Sequence, residues 1–310
     1  MGIQGLIHVR KALTALNPKQ IREMSERTAR VALHAASQES YARMESFFLS
    51  ELSPARRQQS ALLLTRAPVS TLAQQADITV YDEGVIAPAG ALIFRPGQTH
   101  EFVQQTLKAH EDLGVALAKS FHPFRRPFVE RVIHKVAKEN AMFSLATALP
   151  DVIPSFIELP WAVAEFASDT AFLTMNQVRM AFLIAAASDR EVGYMEQKSE
   201  IATVIGSAFG WRALAKQVVS KIPFGGGLVG KAAVAYAGTQ VLGLSLDHFY
   251  SIGFTYTREE RDRLYADAFR QGKVVAARIL RHLRPDLAAK YAASARQSTD
   301  PASGSHSASR

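Results

Sequence analysis

From about Ala141 to Phe254 the chain is apolar and rich in small residues. It is too hydrophobic there for surface helices and too often interrupted by charge for a plain membrane anchor. Thr170 to Ala187 predicts a helix that is apolar on nearly every side, broken only by Asn176, Gln177 and Arg179. Ile201 to Ser220 predicts another. Ile222-Pro223-Phe224-Gly225-Gly226-Gly227 is a break, and Val229 to Phe249 predicts a further apolar helix. Helices apolar all round belong in the interior of a bundle or in lipid. After them, Thr257 to His282 is charged and amphipathic, while Ser294–Arg310 lacks large apolar side chains and is expected to be disordered.

Upstream the pattern changes. Residues 3–16 form a loosely amphipathic basic helix, which Asn17-Pro18 breaks. Val31–Ala35, Ala61–Thr65, Ile78–Tyr81 and Ala91–Phe94 are short apolar runs of strand type, which suit strands buried on both faces of a sheet. A helix is expected from Gln38 to Leu49, and one or two helices between Gln98 and Lys119. Pro123 and Pro127 predict a hinge before a long helix from Phe128 to Leu149. Ser155–Glu158, Ser188–Glu191 and Thr257–Glu260 each have the form of a capping box, marking helix starts near 189 and 258.

The fold class is therefore α+β and mostly α: a small α/β domain, with a mixed sheet left open, followed by an α-helical bundle with very apolar central helices. The expected divisions are 1–27, an N-terminal helix and linker; 28–120, the α/β domain; 121–285, the helical domain; and 286–310, a disordered tail.

Composition narrows the setting. The 310 residues carry 36 Lys and Arg against 28 Asp and Glu, a formal charge of +8, and 48% are hydrophobic. That balance favours anionic partners: nucleic acid, phosphate-bearing ligands or an anionic membrane surface. No run of five basic residues occurs, so specific nucleic-acid binding is not expected. The absence of cysteine excludes disulfides and thiolate chemistry. The N-terminus lacks the layout of a secretory signal. The longest uncharged run, Ala232 to Leu246, is about fifteen residues, short of the roughly 18–20 a spanning helix needs. Counting through Lys231 lengthens it to Ile222–Leu246, which leaves partial insertion open.

The candidate chemistry is thin. Gly225 to Ala232 nearly matches a phosphate-binding loop, with Gly225, Gly230 and Lys231 in place. However, Ala232 stands where the Mg²⁺-ligating hydroxyl belongs, and a helix rather than a strand precedes it. We reject it in favour of a turn whose glycines permit close helix approach, Gly226 and Gly230 having small-xxx-small spacing. His100-Glu101 and His110-Glu111 do not complete a metal motif, and the remaining histidines are scattered. Gly243–Asp247 lacks the closing glycine of a nucleophile elbow. Asp151, Glu158, Glu165 and Asp169 are read as capping or solvent-facing. Asn176, Gln177 and Arg179 are read as a structural polar cluster inside the bundle, since buried polar groups need partners. No catalytic residues, cofactor or metal are assigned.

An ordered set of short motifs runs from about Phe121 to Tyr250: Pro123-Phe124-Arg125, Ile133, Asn140-Ala141, Leu149-Pro150, Pro154, Asn176-Gln177-Val178-Arg179-Met180, Gly206, Gly210, Arg212-Ala213-Leu214-Ala215, Ile222 to Gly227 and Ala237-Gly238-Thr239. In these the block resembles the YcjF-like family of bacterial proteins, a helical domain often found behind the G domain of Era-like GTPases. The resemblance covers under half of the chain. It implies a membrane-associated accessory or scaffold domain without known catalytic residues, at the cytoplasmic face of the inner membrane or in the cytoplasm. A membrane protein or a GTPase is the implied partner, and a homo-oligomer is left open. The region before it departs from a G domain: Ala36-Ser37-Gln38-Glu39-Ser40 follows Val31–Ala35 with neither Gly nor Lys. The alternative is a nucleotide-binding, GTPase-related protein with a degenerate phosphate loop.

Overall fold

The computed structural model describes residues 18–67, 75–149, 169–203, 226–289 and 292. The helix expected over 3–16, the Ser155 capping box, the acidic residues between 151 and 165, most of the helix expected over 201–220 and the tail from 294 lie outside them.

In chain order the elements are α1 (Pro18–Glu26), β1 (Val31–His34), α2 (Gln38–Phe48), α3 (Pro54–Ala61), β2 (Leu64–Ala67), β3 (Ile78–Asp82), β4 (Leu92–Phe94), α4 (Thr99–Ala109), α5 (Gly114–Ser120), α6 (His122–Ala146), α7 (Asp169–Ala187), α8 (Gly226–Ile252) and α9 (Arg258–Leu283). A small α/β unit thus precedes a helical bundle.

The four strands form one sheet in the order β2-β1-β3-β4. Every pairing is parallel: Val31 lies opposite both Leu64 and Ile78, and Val80 opposite Leu92. Burial alternates along β3 and β4 rather than running on. Val31, Leu33, Ile78, Val80 and Phe94 share one face, against Met44 and Phe48 of α2, Phe102 of α4 and Phe121 and Phe124 at the start of α6. The other face carries half-buried Thr79, Tyr81 and Ile93. β1 is buried on both faces, as its apolar run predicted, with Ala32 as enclosed as Val31 and Leu33; β3 and β4 are fully buried on one face only, where their runs predicted burial on both. The second run is also displaced: Ala61 closes α3, and the strand is Leu64–Ala67.

The expected hinge is a helix. Pro123 sits at the start of α6, where an N–H has no partner to lose, and Pro127 lies inside it. Phe124 and Val129 on either side are fully buried, Phe124 in the sheet's core and Val129 in the bundle's, so packing holds the helix through the proline. Ser188 marks an end, not a start. Its N–H donates to Ile184 O as the last turn of α7, and Asp189 follows at φ 57°. The Thr257 box does form: its Oγ1 accepts from Glu260 N, and the Glu260 carboxylate accepts from Thr257 N.

The apolar helices make the bundle's interior. α8 packs against α6, α7 and α9. Its Val229, Ala232, Ala233, Tyr236, Ala237 and Val241 are buried. α7 is apolar on all sides because it too is enclosed: Phe172, Met180, Phe182 and Ile184 are fully buried, and Phe172 stacks on Phe143 of α6 at 4.0 Å. Ile21 of α1 joins this core, so the segment after Pro18 belongs to the bundle's packing. No described helix is long and apolar enough to cross a membrane. Residues 226–246, part of the stretch considered for insertion, spend their apolar side chains on neighbouring helices.

Candidate site: a buried polar network between three helices

Asn176, Gln177 and Arg179 lie on α7, and helical spacing divides their directions. Asn176 and Arg179, three apart, share a face, and Gln177 is turned about 100° from Asn176. Asn176 meets α6: its Nδ2 donates to Glu139 Oε2 at 3.1 Å and to Asn140 Oδ1 at 3.0 Å. Arg179 Nη1 donates to Asn176 Oδ1 at 3.2 Å and lies 3.6 Å from Glu139 Oε2, the two charged side chains being 16% and 11% exposed. Gln177 meets α8, its Nε2 donating to Thr239 Oγ1 at 3.0 Å. The same Thr239 oxygen accepts from Asn140 Nδ2 at 2.8 Å and donates to Ala235 O at 2.8 Å. One hydroxyl therefore uses its donor and both acceptor positions.

The three residues singled out from the sequence are thus brought into one network with Glu139, Asn140 and Thr239. Asn176, Asn140 and Thr239 are fully buried and Gln177 nearly so. Gln177 Oε1 is the one network atom that is buried without a hydrogen-bond partner among the described residues. An ion pair held this way acts as a fixed dipole. Glu139 accepts from the Asn176 amide and faces the Arg179 guanidinium, so both of its charged and polar contacts lie within the network.

Reading by residue type alone missed Glu139. The signal was present: Val132, Val136 and Phe143 lie four and seven residues apart on one face of α6, and Glu139 falls between the last two on the same arc.

A cavity of about 420 Å³ opens beside the network, between α1, the α4–α5 region, α6 and α7, with Arg179 in its wall. Burial, and then Lys138, lower the pKa of His134 in the same wall, and its Nδ1 lies 2.9 Å from Tyr236 Oη.

The other candidates are dispersed. Gly230 and Lys231 stand in the second turn of α8, where their N–H groups belong to the i→i−4 ladder rather than to an open loop; Gly225 lies outside the described residues. His100 is exposed and His110 closes α4, and no group of three or more His, Asp or Glu among the described residues could hold a metal ion. The sheet reverses its order at β1, and open α/β sheets bind ligands beyond the carboxyl ends of such strands. That edge carries a His34–Tyr81 stack at 4.5 Å and the Ser37 cap of α2, whose Oγ accepts from Ser40 N. No family model, curated protein or solved structure matches this chain in the three comparisons made.

Proposed function

We propose that this is a non-catalytic accessory or scaffold protein, working by binding at an anionic membrane surface or to a membrane protein. A GTPase is the partner class that the YcjF-like resemblance suggests. The observation that carries the non-catalytic reading is the network. The polar side chains of the most apolar helices are engaged with one another across α6, α7 and α8. Groups tied in this way hold helices in register and have little freedom to bind and release a substrate. The charge of +8 supports an anionic surface. Ile252 and Phe254, 54% and 73% exposed at the turn before Arg258, offer apolar contacts next to a cation.

Sedimentation of the full chain with vesicles tests this reading. Vesicles of phosphatidylcholine containing phosphatidylglycerol should carry the protein down at low salt, pure phosphatidylcholine should not, and high salt should release it. Equal recovery in the supernatant with both vesicle types would overturn the membrane part. Hydrolysis of a nucleoside triphosphate by the purified chain, beyond a buffer blank, would overturn the non-catalytic part.

A further inference from the structure

We propose that the cavity between α1, α6 and α7 binds a small amphiphilic anion: an alkyl chain carrying a carboxylate or phosphate head. The proposal rests on the reading of this chain as a binding protein and names a ligand class for it. At about 420 Å³ the cavity falls within the range of small-molecule sites. Its wall is apolar at Met24, Phe128, Val132 and Leu183, yet Arg131, Lys135 and Arg179 also line it, against the single carboxylate of Glu111 among the described residues.

Pairing decides which charge is left for a ligand. Arg131 lies 3.3 Å from Glu111 and also donates to Gln104 O, so it is matched. Arg179 is matched by Glu139. Lys135 has no hydrogen bond or ion pair with any described residue. Among the described residues the site therefore carries one surplus positive charge, which selects an anion and rejects a cation.

Position sets the ligand's shape. Phe128, Val132 and Lys135 recur along one face of α6, and from Phe128 to Lys135 the helix rises about 10 Å. An apolar surface thus ends at an ammonium, the arrangement that a chain with an anionic head complements. Gly114 lets the Phe128 ring come close, since a Cβ there would lie 2.7 Å from Phe128 Cε2.

The test is calorimetric titration of the full chain with dodecanoate, dodecyl phosphate and dodecyltrimethylammonium, each below its micelle concentration. One of the two anions, or both, should bind at one per chain, the stronger naming the head group, and the cation should not bind. Lys135→Glu, at an exposed position, should weaken anion binding roughly tenfold or more. Met24→Trp should block it by filling the cavity while Lys135 stays in place. Equal binding of anion and cation, binding of neither anion, or anion binding unchanged in both variants would overturn the proposal. The vesicle result stands apart. Sedimentation without amphiphile binding rejects this site and keeps the membrane reading. Amphiphile binding without sedimentation does the reverse.

Discussion

Asn140 and Thr239, ninety-nine residues apart in the chain, share a hydrogen bond of 2.8 Å in the middle of the bundle. It joins α6 to α8, and Gln177 of α7 donates to the same hydroxyl at 3.0 Å. Three helices that apolar contacts alone could let slide or rotate are therefore fixed at one point.

Removing that hydroxyl should be costly. Thr239→Val keeps the volume but leaves the amides of Asn140 and Gln177 buried without an acceptor. Each such loss costs about 1–3 kcal/mol, so we expect about 2–4 kcal/mol of destabilisation by chemical denaturation. Thr239→Ser, which keeps the oxygen, should lose only about 1 kcal/mol. Equal effects of the two substitutions would show that the methyl group matters and the hydroxyl does not.

Close helix approach should be sensitive at Gly272. A Cβ there would lie 2.9 Å from Ala233 O and 3.1 Å from Ala233 Cα, backbone atoms of α8 that cannot turn aside. Gly272→Ala should destabilise by about 1–3 kcal/mol despite alanine's better helix propensity. Gly97→Ala, where nothing lies within 4 Å, serves as the control and should stay within about 0.5 kcal/mol of the parent. A stabilised Gly272→Ala would mean that α8 and α9 stand further apart.

Burial holds the His134 imidazole below its ordinary value of 6.5. The unfolded chain then takes up a proton at higher pH than the folded one. This group's contribution is full above 6.5 and is lost as pH falls below it. His134→Gln should therefore gain stability relative to the parent as pH falls from 7 to 5. A difference between the two that does not change with pH would contradict the assignment.

Much of this was legible in the chain, for identifiable reasons. β1, β3 and β4 were visible because short apolar runs ended at turn residues, whereas the Ser37 cap that starts α2 is seen only in the structure. The Thr257 box was local, with both partners within four residues, so it formed as read. The Ser188 box has the same spelling but follows nineteen residues of enclosed helix, and Ser188 closes that helix's last turn instead. The Pro127 break failed because buried neighbours on either side outweigh one lost backbone bond. The polar interruptions of α7 announced a cluster, but not its partners. Glu139 and Thr239 are supplied by helices distant in sequence. Glycines at close approaches, such as Gly243 against Ile133 and Gly272 against Ala233, depend on which helices meet, so no local motif marks them.

The central claim is that the polar side chains on the apolar helices are bound to one another. A double-mutant cycle on Glu139 and Arg179 tests it most directly, because this pair joins α6 to α7 at 3.6 Å. We predict that Glu139→Gln and Arg179→Met each lower stability to urea, and that the double variant loses less than their sum. The interaction energy should be about 0.5–3 kcal/mol. Additivity to within about 0.3 kcal/mol would show that the two side chains do not meet, and would contradict the account.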